Sequence, residues 1–366
     1  MNDFFAELHA DSGSTARTGL LRLPHGEVRT PAFMPVGTCA TVKALTKDDL
    51  AEIGFELILA NAYHLYLRPG AAVIEEAGGL HGFSGWRSNF LTDSGGYQVF
   101  SLAPFRKVTA EGVAFKSHID GSAHFLTPEA VAELQKRFNS DIQMQLDVCT
   151  GYGIGRQEAA DALGITAGWA LRAHSAWQRF RGEGYEGLFF PIVQGNFFRD
   201  LRERSAESAA ALNAPGIAVG GLSVGEPFGA YAETLAFTAP LLPRAVPRYV
   251  MGIGTPDFIL EAVANGIDLF DCVLPTRNGR NGAYLTRSGA ISIKKACFER
   301  DFSPPDPECP CRVCRAYSRA YLRHLFKERE ILSAMLASYH NLAFMHRMMT
   351  EAREAIAADR FGAYKA

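Results

Sequence analysis

The residue most clearly suited to catalytic chemistry is Asp271, which lies inside a short apolar run at residues 267–273. The run has the composition of a β-strand. At Pro275 it gives way to a segment containing Arg277 and Arg280, which we expect to form a loop. A carboxylate would then stand at the end of a rigid element, beside a cationic loop. An acidic strand residue followed by an ordinary turn gives the same local pattern, so the interpretation depends on the rest of the chain.

Polar or small residues occupy the same position, directly after an apolar run, at several other places. These residues are Asp93, Asp147, Gln194, the glycine pair at 220–221, and Met251 with Gly252. Each has a simpler explanation alone, since aspartate commonly caps helices and glycine permits tight packing. Their shared position nevertheless predicts that they meet in one site.

Carboxylates that meet in this way can divide the work of a glycosyl transfer. One can attack the anomeric carbon of a sugar while another handles protons, as in retaining glycosidases. A third carboxylate, a carboxamide and exposed backbone groups suit the edge of a purine-like ring, whose donors and acceptors are costly to bury unpaired. Tyr97 and Met251 could hold such a ring between them, although both could equally belong to the core.

Eight apolar runs with strand character alternate with helical segments, and these elements must position the site. The strand runs are residues 32–36, 57–60, 89–92, 142–146, 188–193, 217–219, 248–251 and 267–273. The helical segments are residues 47–53, 69–77, 128–139, 156–180, 199–212, 228–239 and 256–265. This order predicts an α/β fold, a (β/α)8 TIM barrel, although an open doubly wound sheet would read similarly. Residues 107–127 alternate apolar and polar positions and predict an inserted β-hairpin.

Length and composition are consistent with that fold. The chain has 366 residues, of which 48% are hydrophobic and 21% charged, as is typical of a soluble globular protein with a large core. No apolar run reaches membrane-spanning length, and the N-terminus has no basic segment leading into an apolar one. We therefore expect a cytoplasmic protein with no membrane partner.

The formal charge of −2 conceals an uneven distribution. Residues 275–329 contain twelve Lys or Arg and five Asp or Glu, a local balance of +7, so the rest of the chain carries −9. An acidic body with one basic lobe indicates a polyanion bound at a defined place, although a solvated charged surface would have the same composition.

Three of the seven cysteines, Cys309, Cys311 and Cys314, fall within six residues, which favours reduced thiols around a metal over a disulfide framework. One histidine could complete a tetrahedral site, and with four protein ligands the metal would be structural. The candidates, which spacing alone does not separate, are His324, His340 and His346. We expect the barrel within residues 1–295, and a zinc-binding subdomain with C-terminal helices within residues 296–366.

Five segments resemble those of the queuine tRNA-ribosyltransferases, also called tRNA-guanine transglycosylases. They are TDSGGYQVFSL (92–102), VQGN (193–196), AVGGLSVGEP (218–227), MGIGTP (251–256) and DLFDCVLPTRNGRNG (268–282). The resemblance covers essentially the whole chain, and Val224 is similar to the bacterial members. It implies exchange of guanine at the wobble position of tRNAs with a G-U-N anticodon for 7-aminomethyl-7-deazaguanine, in queuosine biosynthesis, without ATP or a nucleotide cofactor.

The resemblance also implies a role for each matching residue. Asp271 would be the nucleophile that holds the ribose covalently, and Asp93 the proton acceptor for the incoming base. The base pocket would comprise Asp147, Gln194 and Gly221 at the base edge, the Leu222 carbonyl at the aminomethyl group, Tyr97 and Met251 on the ring faces, and Ser94 beside Asp93. The RNA contacts would come from Thr276, Arg277, Asn278, Gly279 and Arg280. His340 would complete a structural Zn2+ site, with one ion per chain.

Because the base must leave the stack to reach an internal carboxylate, we expect the RNA loop to bind with the target nucleotide splayed out. An aromatic face at Tyr317, Tyr321 and His324 has helical spacing, and such a stripe more often belongs to a core. The resemblance implies instead that it contributes to a homodimer contact.

Two other functions fit parts of the sequence. A non-catalytic tRNA-binding subunit is disfavoured by the presence of both Asp93 and Asp271. A hydrolytic glycosidase on the same barrel is disfavoured by the cysteine-rich lobe and the basic segment.

Overall fold

The computed structural model of the protein describes residues 4–98 and 106–366. Its N-terminal part is an antiparallel sheet of three strands, β1 (Phe5–Ala10), β2 (Arg17–Leu23) and β3 (Gly26–Thr30), in the order β1-β2-β3. The sequence patterns above do not predict this sheet. Its strands mix buried and exposed residues and contain no long apolar run, so they lack the signal that marks the central strands.

The next strands are β4 (Ala32–Pro35), β5 (Leu57–Asn61) and β6 (Asn89–Asp93). An insertion follows, with β7 (Arg106–Val108), β8 (Val113–Lys116) and β9 (Ala123–Leu126). These three strands form an antiparallel sheet in the order β7-β8-β9. The predicted hairpin is thus two consecutive hairpins, because the segment has a turn signal on each side of β8.

The remaining central strands are β10 (Ile142–Met144), β11 (Leu188–Phe190), β12 (Ile192–Val193), β13 (Ile217–Val219), β14 (Arg248–Val250) and β15 (Leu269–Cys272). They form two parallel sheets with β4, β5 and β6, in the orders β11-β10-β6-β5 and β12-β13-β14-β15-β4. Two features connect the sheets: Val36 forms a parallel bridge with Leu59, and only Pro191 separates β11 from β12. The predicted α/β class with parallel strands is confirmed.

Each central strand is buried on both faces. In β5, Leu57 and Leu59 pack in one hydrophobic cluster, whereas Ile58 and Ala60 pack in another. Successive side chains of a strand point to opposite faces, so the two clusters lie on the two sides of the sheet. Two-sided burial is what makes these strands read as uninterrupted apolar runs.

Nine helices of the described chain connect the strands up to β15. They are α1 (Lys47–Ile53), α2 (Ala62–Leu67), α3 (Ala71–Glu76), α4 (Gly79–Ser84), α5 (Pro128–Arg137), α6 (Arg156–Gly182), α7 (Arg199–Ala210), α8 (Phe228–Thr238) and α9 (Pro256–Ala264), and a 3-10 turn follows α8 at Ala239–Leu241. The start of α5 is set by Thr127, whose hydroxyl accepts a hydrogen bond from the Ala130 amide at 3.2 Å, and by Pro128 in the first turn. The helix predicted at 69–77 is present as α3, whereas the flanking short helices α2 and α4 are not predicted. Gly85, in the left-handed conformation, ends α4.

The C-terminal part contains α10 (Leu274–Arg280), β16 (Ala283–Tyr284), β17 (Ile291–Ser292), a 3-10 turn (Ala296–Phe298), α11 (Arg312–Ala316), α12 (Arg319–Lys327), α13 (Ile331–Ala357) and α14 (Phe361–Lys365). The expectation of a loop after Pro275 is wrong, since α10 occupies that segment. Proline fits the first turn of a helix, where its missing N–H would have no partner in any case. Among the helices of the described residues, none is both long and apolar enough to cross a membrane.

Candidate active site and metal centre

Three carboxylates lie at or just beyond the carboxyl ends of parallel strands. Asp93 closes β6, Asp271 is the third residue of β15, and Asp147 follows the end of β10 by three residues. Their charges interact, because both Asp147 and Asp271 help to raise the pKa of Asp93. The structure therefore brings together the acidic residues that the sequence placed after separate strands.

Asp93 has the titration expected of an acid-base group. Burial is the main cause that raises its pKa to about 7, and the negative charges of Asp147 and Asp271 add to the effect. Asn61, which pairs with Asp93 in the register of β5 and β6, donates from Nδ2 to Oδ2 of Asp93 at 3.0 Å. A carboxyl that is partly protonated near neutral pH can both give and accept a proton, as general acid–base catalysis requires.

Asp271 is held through one of its two carboxylate oxygens. Its Oδ1 accepts a hydrogen bond from the Tyr249 hydroxyl at 2.5 Å and another from the Gly252 amide at 2.7 Å. Burial raises the pKa of Asp271, and these two hydrogen bonds oppose that rise because they favour the charged form. Within residues 4–98 and 106–366, no donor is bonded to Oδ2, which is therefore the oxygen available to attack an electrophile.

Asp147 and Gln194 form a buried polar pair. Gln194 donates from Nε2 to Asp147 Oδ2 at 2.7 Å, and both side chains are almost fully buried. Burial raises the pKa of Asp147 to about 6, against the opposing effect of the Gln194 hydrogen bond. Gln194 Oε1 is buried without a hydrogen-bond partner among the described residues. A buried acceptor without a partner is costly, so a ligand N–H at this place would relieve it.

Glycines make room around this pair. A Cβ atom at Gly221 would lie 2.5 Å from Gln194 Oε1, and one at Gly96 would lie 2.9 Å from Asp147 Oδ1. Gly221 also has φ +68°, a conformation that other residues rarely adopt. The backbone at both glycines can thus approach the polar pair closely.

The other predicted pocket residues lie close by in the chain. Ser94 is buried directly after Asp93, and its Oγ accepts a hydrogen bond from the Gly96 amide at 3.4 Å. Leu222 is buried next to Gly221, and Met251 is half-buried at the end of β14. Tyr97 is 52% exposed, as an aromatic ring must be to stack on an incoming base. Residues 99–102 of the TDSGGYQVFSL segment lie outside the described residues.

The five predicted RNA-contact residues all lie on α10 but differ in exposure. Arg277 and Asn278 are exposed, and Arg280 is half-buried. Thr276 is buried, and its hydroxyl donates to the Val273 carbonyl at 3.2 Å. Gly279 is also buried, since a Cβ there would lie 3.0 Å from the Ala337 carbonyl carbon of α13. Thr276 and Gly279 therefore position the helix, while the other three side chains face outwards.

Cys309, Cys311, Cys314 and His340 form a cluster whose ligand atoms all lie within 4.8 Å of one another, as a site for one metal ion requires. His340 Nδ1 is 3.2 Å from Cys314 Sγ and 3.5 Å from Cys311 Sγ. On the other side of the ring, Nε2 donates to the Leu285 carbonyl at 2.7 Å, which fixes Nδ1 as the ligand atom. Of the three histidines left open by spacing, His340 is thus the one at the cysteines, and this donor set fits a structural metal ion.

The aromatic residues beyond the cysteines lie at the start of α12. Tyr317 and Tyr321 stack with ring centroids 5.8 Å apart, and Tyr321 is 43% exposed. His324 continues the row, 6.4 Å from Tyr321 between ring centroids. Tyr317 precedes the helix, so the predicted aromatic face extends across the α11–α12 junction.

Three further residues that touch the site are missed by the sequence reasoning. Tyr249 contacts Asp271, Asn61 contacts Asp93, and Arg202 of α7 donates to the backbone on both sides of Gln194. Asn61 ends an apolar run and carries the same strand-end signal as the aspartates. Tyr249 and Arg202 carry no such signal, since one reads as a core residue of a strand and the other as a surface residue of a helix.

Comparison with known proteins agrees with this arrangement. A family model described as queuine tRNA-ribosyltransferase matches residues 11–366. A queuine tRNA-ribosyltransferase of Treponema denticola is 62% identical over 362 residues, which are 99% of this chain and 95% of the relative. Relatives of the same name from Borrelia duttonii and Pelotomaculum thermopropionicum are 56% and 53% identical over 351 and 356 residues, which are 96% and 97% of this chain and 93% and 95% of the relatives. The chain therefore belongs to the queuine tRNA-ribosyltransferase family, and it is a transferase.

Proposed function

We propose that the protein is a tRNA-guanine transglycosylase of the bacterial type, which exchanges guanine at the wobble position of G-U-N tRNAs for 7-aminomethyl-7-deazaguanine. The observation that carries the proposal is the meeting of three carboxylates with the unpartnered Gln194 Oε1 at one end of the parallel strands. Carboxylates serve glycosyl transfer, and a buried unpartnered acceptor serves recognition of a base. The names of the relatives add tRNA and a queuine-type base.

In the first step, Asp271 Oδ2 attacks C1′ of the target ribose and forms an ester-like bond. The electron pair of the C1′–N9 bond leaves with guanine, which takes up a proton. Asp93 supplies that proton, since its pKa of about 7 leaves a useful fraction protonated at neutral pH. The products of this step are free guanine and a covalent ribosyl-enzyme.

In the second step, the incoming base gives its N9 proton to Asp93 and attacks C1′ from the opposite face. Asp271 leaves as a carboxylate, and the C1′–N9 bond is restored with net retention at C1′. The hydrogen bonds to Oδ1 from Tyr249 and Gly252 stabilise the carboxylate that leaves. The same two residues therefore serve both steps: Asp93 donates a proton in the first and accepts one in the second, while Asp271 forms and then breaks the bond to C1′. No cofactor takes part.

The base edge is read by Asp147, Gln194 and Gly221, with the Leu222 carbonyl at the aminomethyl group. Gln194 Nε2 is already bonded to Asp147, so its Oε1 is the group that awaits a donor from the base. Tyr97 and Met251 hold the ring by its faces, and Ser94 lines the pocket beside Asp93.

The RNA binds across α10 with its target nucleotide splayed out. Arg277, Asn278 and Arg280 supply side chains, and Thr276 and Gly279 supply backbone and packing. Residues 275–329 contain twelve basic and five acidic residues, which supports this placement, because contacts of basic side chains with phosphates dominate the affinity for nucleic acids.

The remaining structural proposals follow from pairing and donor chemistry. The strands close into an eight-stranded barrel; the β15–β4 pairing, the Val36–Leu59 bridge and the continuity through Pro191 support closure. This barrel occupies residues 1–295, and residues 296–366 form a subdomain whose cysteine cluster holds one structural Zn2+. The exposed face at Tyr321 contributes to a homodimer, and the protein works in the cytoplasm, where tRNA is.

Incubation with guanine-labelled tRNA tests the function. Release of label that depends on added 7-aminomethyl-7-deazaguanine, with incorporation of that base, supports exchange. Release without added base, leaving an abasic site, would identify a hydrolase, and tRNA binding without release would identify a binding subunit. Transfer RNA lacking a G-U-N anticodon is the matched control and should release no label.

A further inference from the structure

Arg202 is the most deeply buried charged group near the site. It lies in the first half of α7 and has no exposed surface. Its guanidinium donates to four carbonyls: Nε to Asn196 at 2.7 Å, Nη1 to Gly220 at 2.9 Å and Val193 at 3.2 Å, and Nη2 to Gly221 at 3.4 Å. Three of these carbonyls belong to the turns that follow β12 and β13, and the fourth, that of Val193, belongs to the last residue of β12.

No carboxylate within the described residues forms an ion pair with Arg202. Burial lowers its pKa to about 10, so the side chain remains charged at neutral pH, and the negative charge of Glu226 favours that charged form. Glu226 is itself bonded to the backbone amides of Ser223 and Val224. A buried cation without a carboxylate partner is costly to maintain, and here its donors hold the carbonyls of both turns.

The two turns that Arg202 joins are the ones that carry Gln194 and Gly221. Their separation is critical, because a Cβ at Gly221 would lie only 2.5 Å from Gln194 Oε1. Helix α7 holds the first turn at a second point, since the Gln194 amide donates to Ser205 Oγ at 2.9 Å. Gly195 lies directly on the helix as well, because a Cβ there would lie 2.7 Å from the Leu201 carbonyl carbon.

We infer that Arg202 is a positioning residue that fixes the Gln194 and Gly221 turns relative to each other and thereby sets the affinity for the purine-like base. The inference rests on the proposed function, since it names the residue that aligns the base-reading edge. Arginine suits this task because its planar fork presents donors in several directions at once. A lysine keeps the charge but concentrates its donors at one point, so it cannot reach all four carbonyls.

The test compares Arg202→Lys with Arg248→Lys. Arg248 is a matched control, because it is buried, donates to the carbonyls of Leu242 and Pro243 at 2.7 and 3.2 Å, and has a pKa lowered to about 10 by burial. It begins β14 and so lies at the opposite end of the strands from the carboxylates. Calorimetry would measure the Kd for free guanine and the melting temperature of each variant. The exchange assay would measure KM for the incoming base.

Both variants should have lower melting temperatures than the wild type. Arg202→Lys should also weaken guanine binding and raise KM for the base by roughly 10- to 100-fold, the cost of misplacing binding groups by about 1 Å, whereas Arg248→Lys should retain wild-type values. Equal guanine affinities in the two folded variants would overturn the inference. If Arg202→Lys does not fold, Ser205→Ala provides the measurement, with weaker guanine binding expected and unchanged binding overturning the inference. Wild-type protein that neither binds guanine nor exchanges it would instead refute the proposed function.

Discussion

Replacing Tyr249 by phenylalanine should change the pH dependence of the first chemical step. The hydroxyl donates to Asp271 Oδ1 at 2.5 Å and is fully buried, so the substitution removes one hydrogen bond to a carboxylate and little volume. A hydrogen bond to a charged group is worth about 1.5–3 kcal/mol, and about 1.4 kcal/mol corresponds to tenfold in a protonation equilibrium. Asp271 attacks as the carboxylate, and the donor favours that form. Its loss should therefore move the acid limb of the rate profile to higher pH, by about 1 to 2 pH units.

The alkaline limb should not move with it. In our mechanism Asp93 must be protonated to release guanine, so the rate of adduct formation falls as pH rises through about 7, where Asp93 titrates. Asp93 and Asp271 interact, so the limbs report apparent pKa values of the pair, but burial is the main cause of the Asp93 shift and the Tyr249 hydroxyl bonds Asp271, so the acid limb moves and the alkaline limb stays in place. In Tyr249→Phe, the bell-shaped plot of the adduct-formation rate against pH should therefore become narrower, because only its acid limb moves. The maximal rate should also be lower.

The assay measures, over a range of pH, the single-turnover rate at which protein becomes covalently attached to tRNA, read on a denaturing gel. Tyr231→Phe is the matched control, because Tyr231 is another fully buried tyrosine whose hydroxyl donates to the Phe258 carbonyl at 2.9 Å, among the outer helices. It should keep the wild-type profile. A Tyr249→Phe profile that superimposes on that of Tyr231→Phe would refute the assignment of Asp271 as a nucleophile tuned by this hydroxyl.

Four further predictions concern the nucleophile, the metal, the dimer and the N-terminal sheet. Asp271→Ala should abolish the denaturation-stable protein–tRNA adduct and lower exchange by roughly 10⁴-fold or more, and a persisting adduct would remove its assigned role. Elemental analysis should find about one zinc ion per chain, lost together with thermal stability in His340→Ala, whereas fully active zinc-free protein would contradict the metal site. Tyr321→Ala should raise the monomer fraction in sedimentation, and an unchanged dimer would count against that face. The hydrogen bond to Asp141 at 2.6 Å raises the pKa of His25 above its ordinary 6.5. The stabilisation by this bond is therefore complete below pH 6.5 and disappears as the pH rises through the raised pKa. The melting-temperature difference between wild type and His25→Gln should shrink over that pH range, and a difference that stays constant would contradict the prediction.

The central strands could be predicted from the sequence because their burial is two-sided. Residues such as Leu57 and Ile58 point to different clusters yet are equally buried, so the strand reads as an unbroken apolar run. The carboxyl end of such a run is also a defined place in a parallel sheet, which is why Asp93, Asp147 and Asp271 could be grouped before any coordinates were known.

Other features depend on information that local patterns do not contain. Pro275 was interpreted as a break, although proline is equally compatible with the first turn of a helix, and only packing against α13 decides between them. Tyr249 lies in an apolar strand where a tyrosine is ordinary, and its hydroxyl becomes informative only when Asp271 is 2.5 Å away. Arg202 occupies a helix with many charged residues, and nothing in that helix distinguishes the one arginine that points inwards.

The metal cluster and the nucleophile are connected through one helix. His340 and Asn341, adjacent on α13 and fully buried, both contact the segment that follows Asp271. His340 holds the Leu285 carbonyl, while Asn341 donates to the carbonyls of Pro275 and Ala283, each at 2.9 Å, and accepts from the Leu285 amide at 2.8 Å. These contacts cross the predicted boundary at residue 295.

A metal ion that held His340 would also hold the adjacent Asn341, whose side chain bonds the Pro275 carbonyl at the start of α10, two residues before the exposed Arg277. Because α10 follows β15 directly, its placement would set where the flanking nucleotides of the proposed substrate lie relative to the Asp271 carboxylate. In the proposed mechanism, a structural metal in this position would contribute to the reaction without touching the substrate, since precise alignment of reactants accounts for much of the barrier that an enzyme removes. The contacts of His340 and Asn341 thus make the cysteine lobe part of the scaffold that places α10.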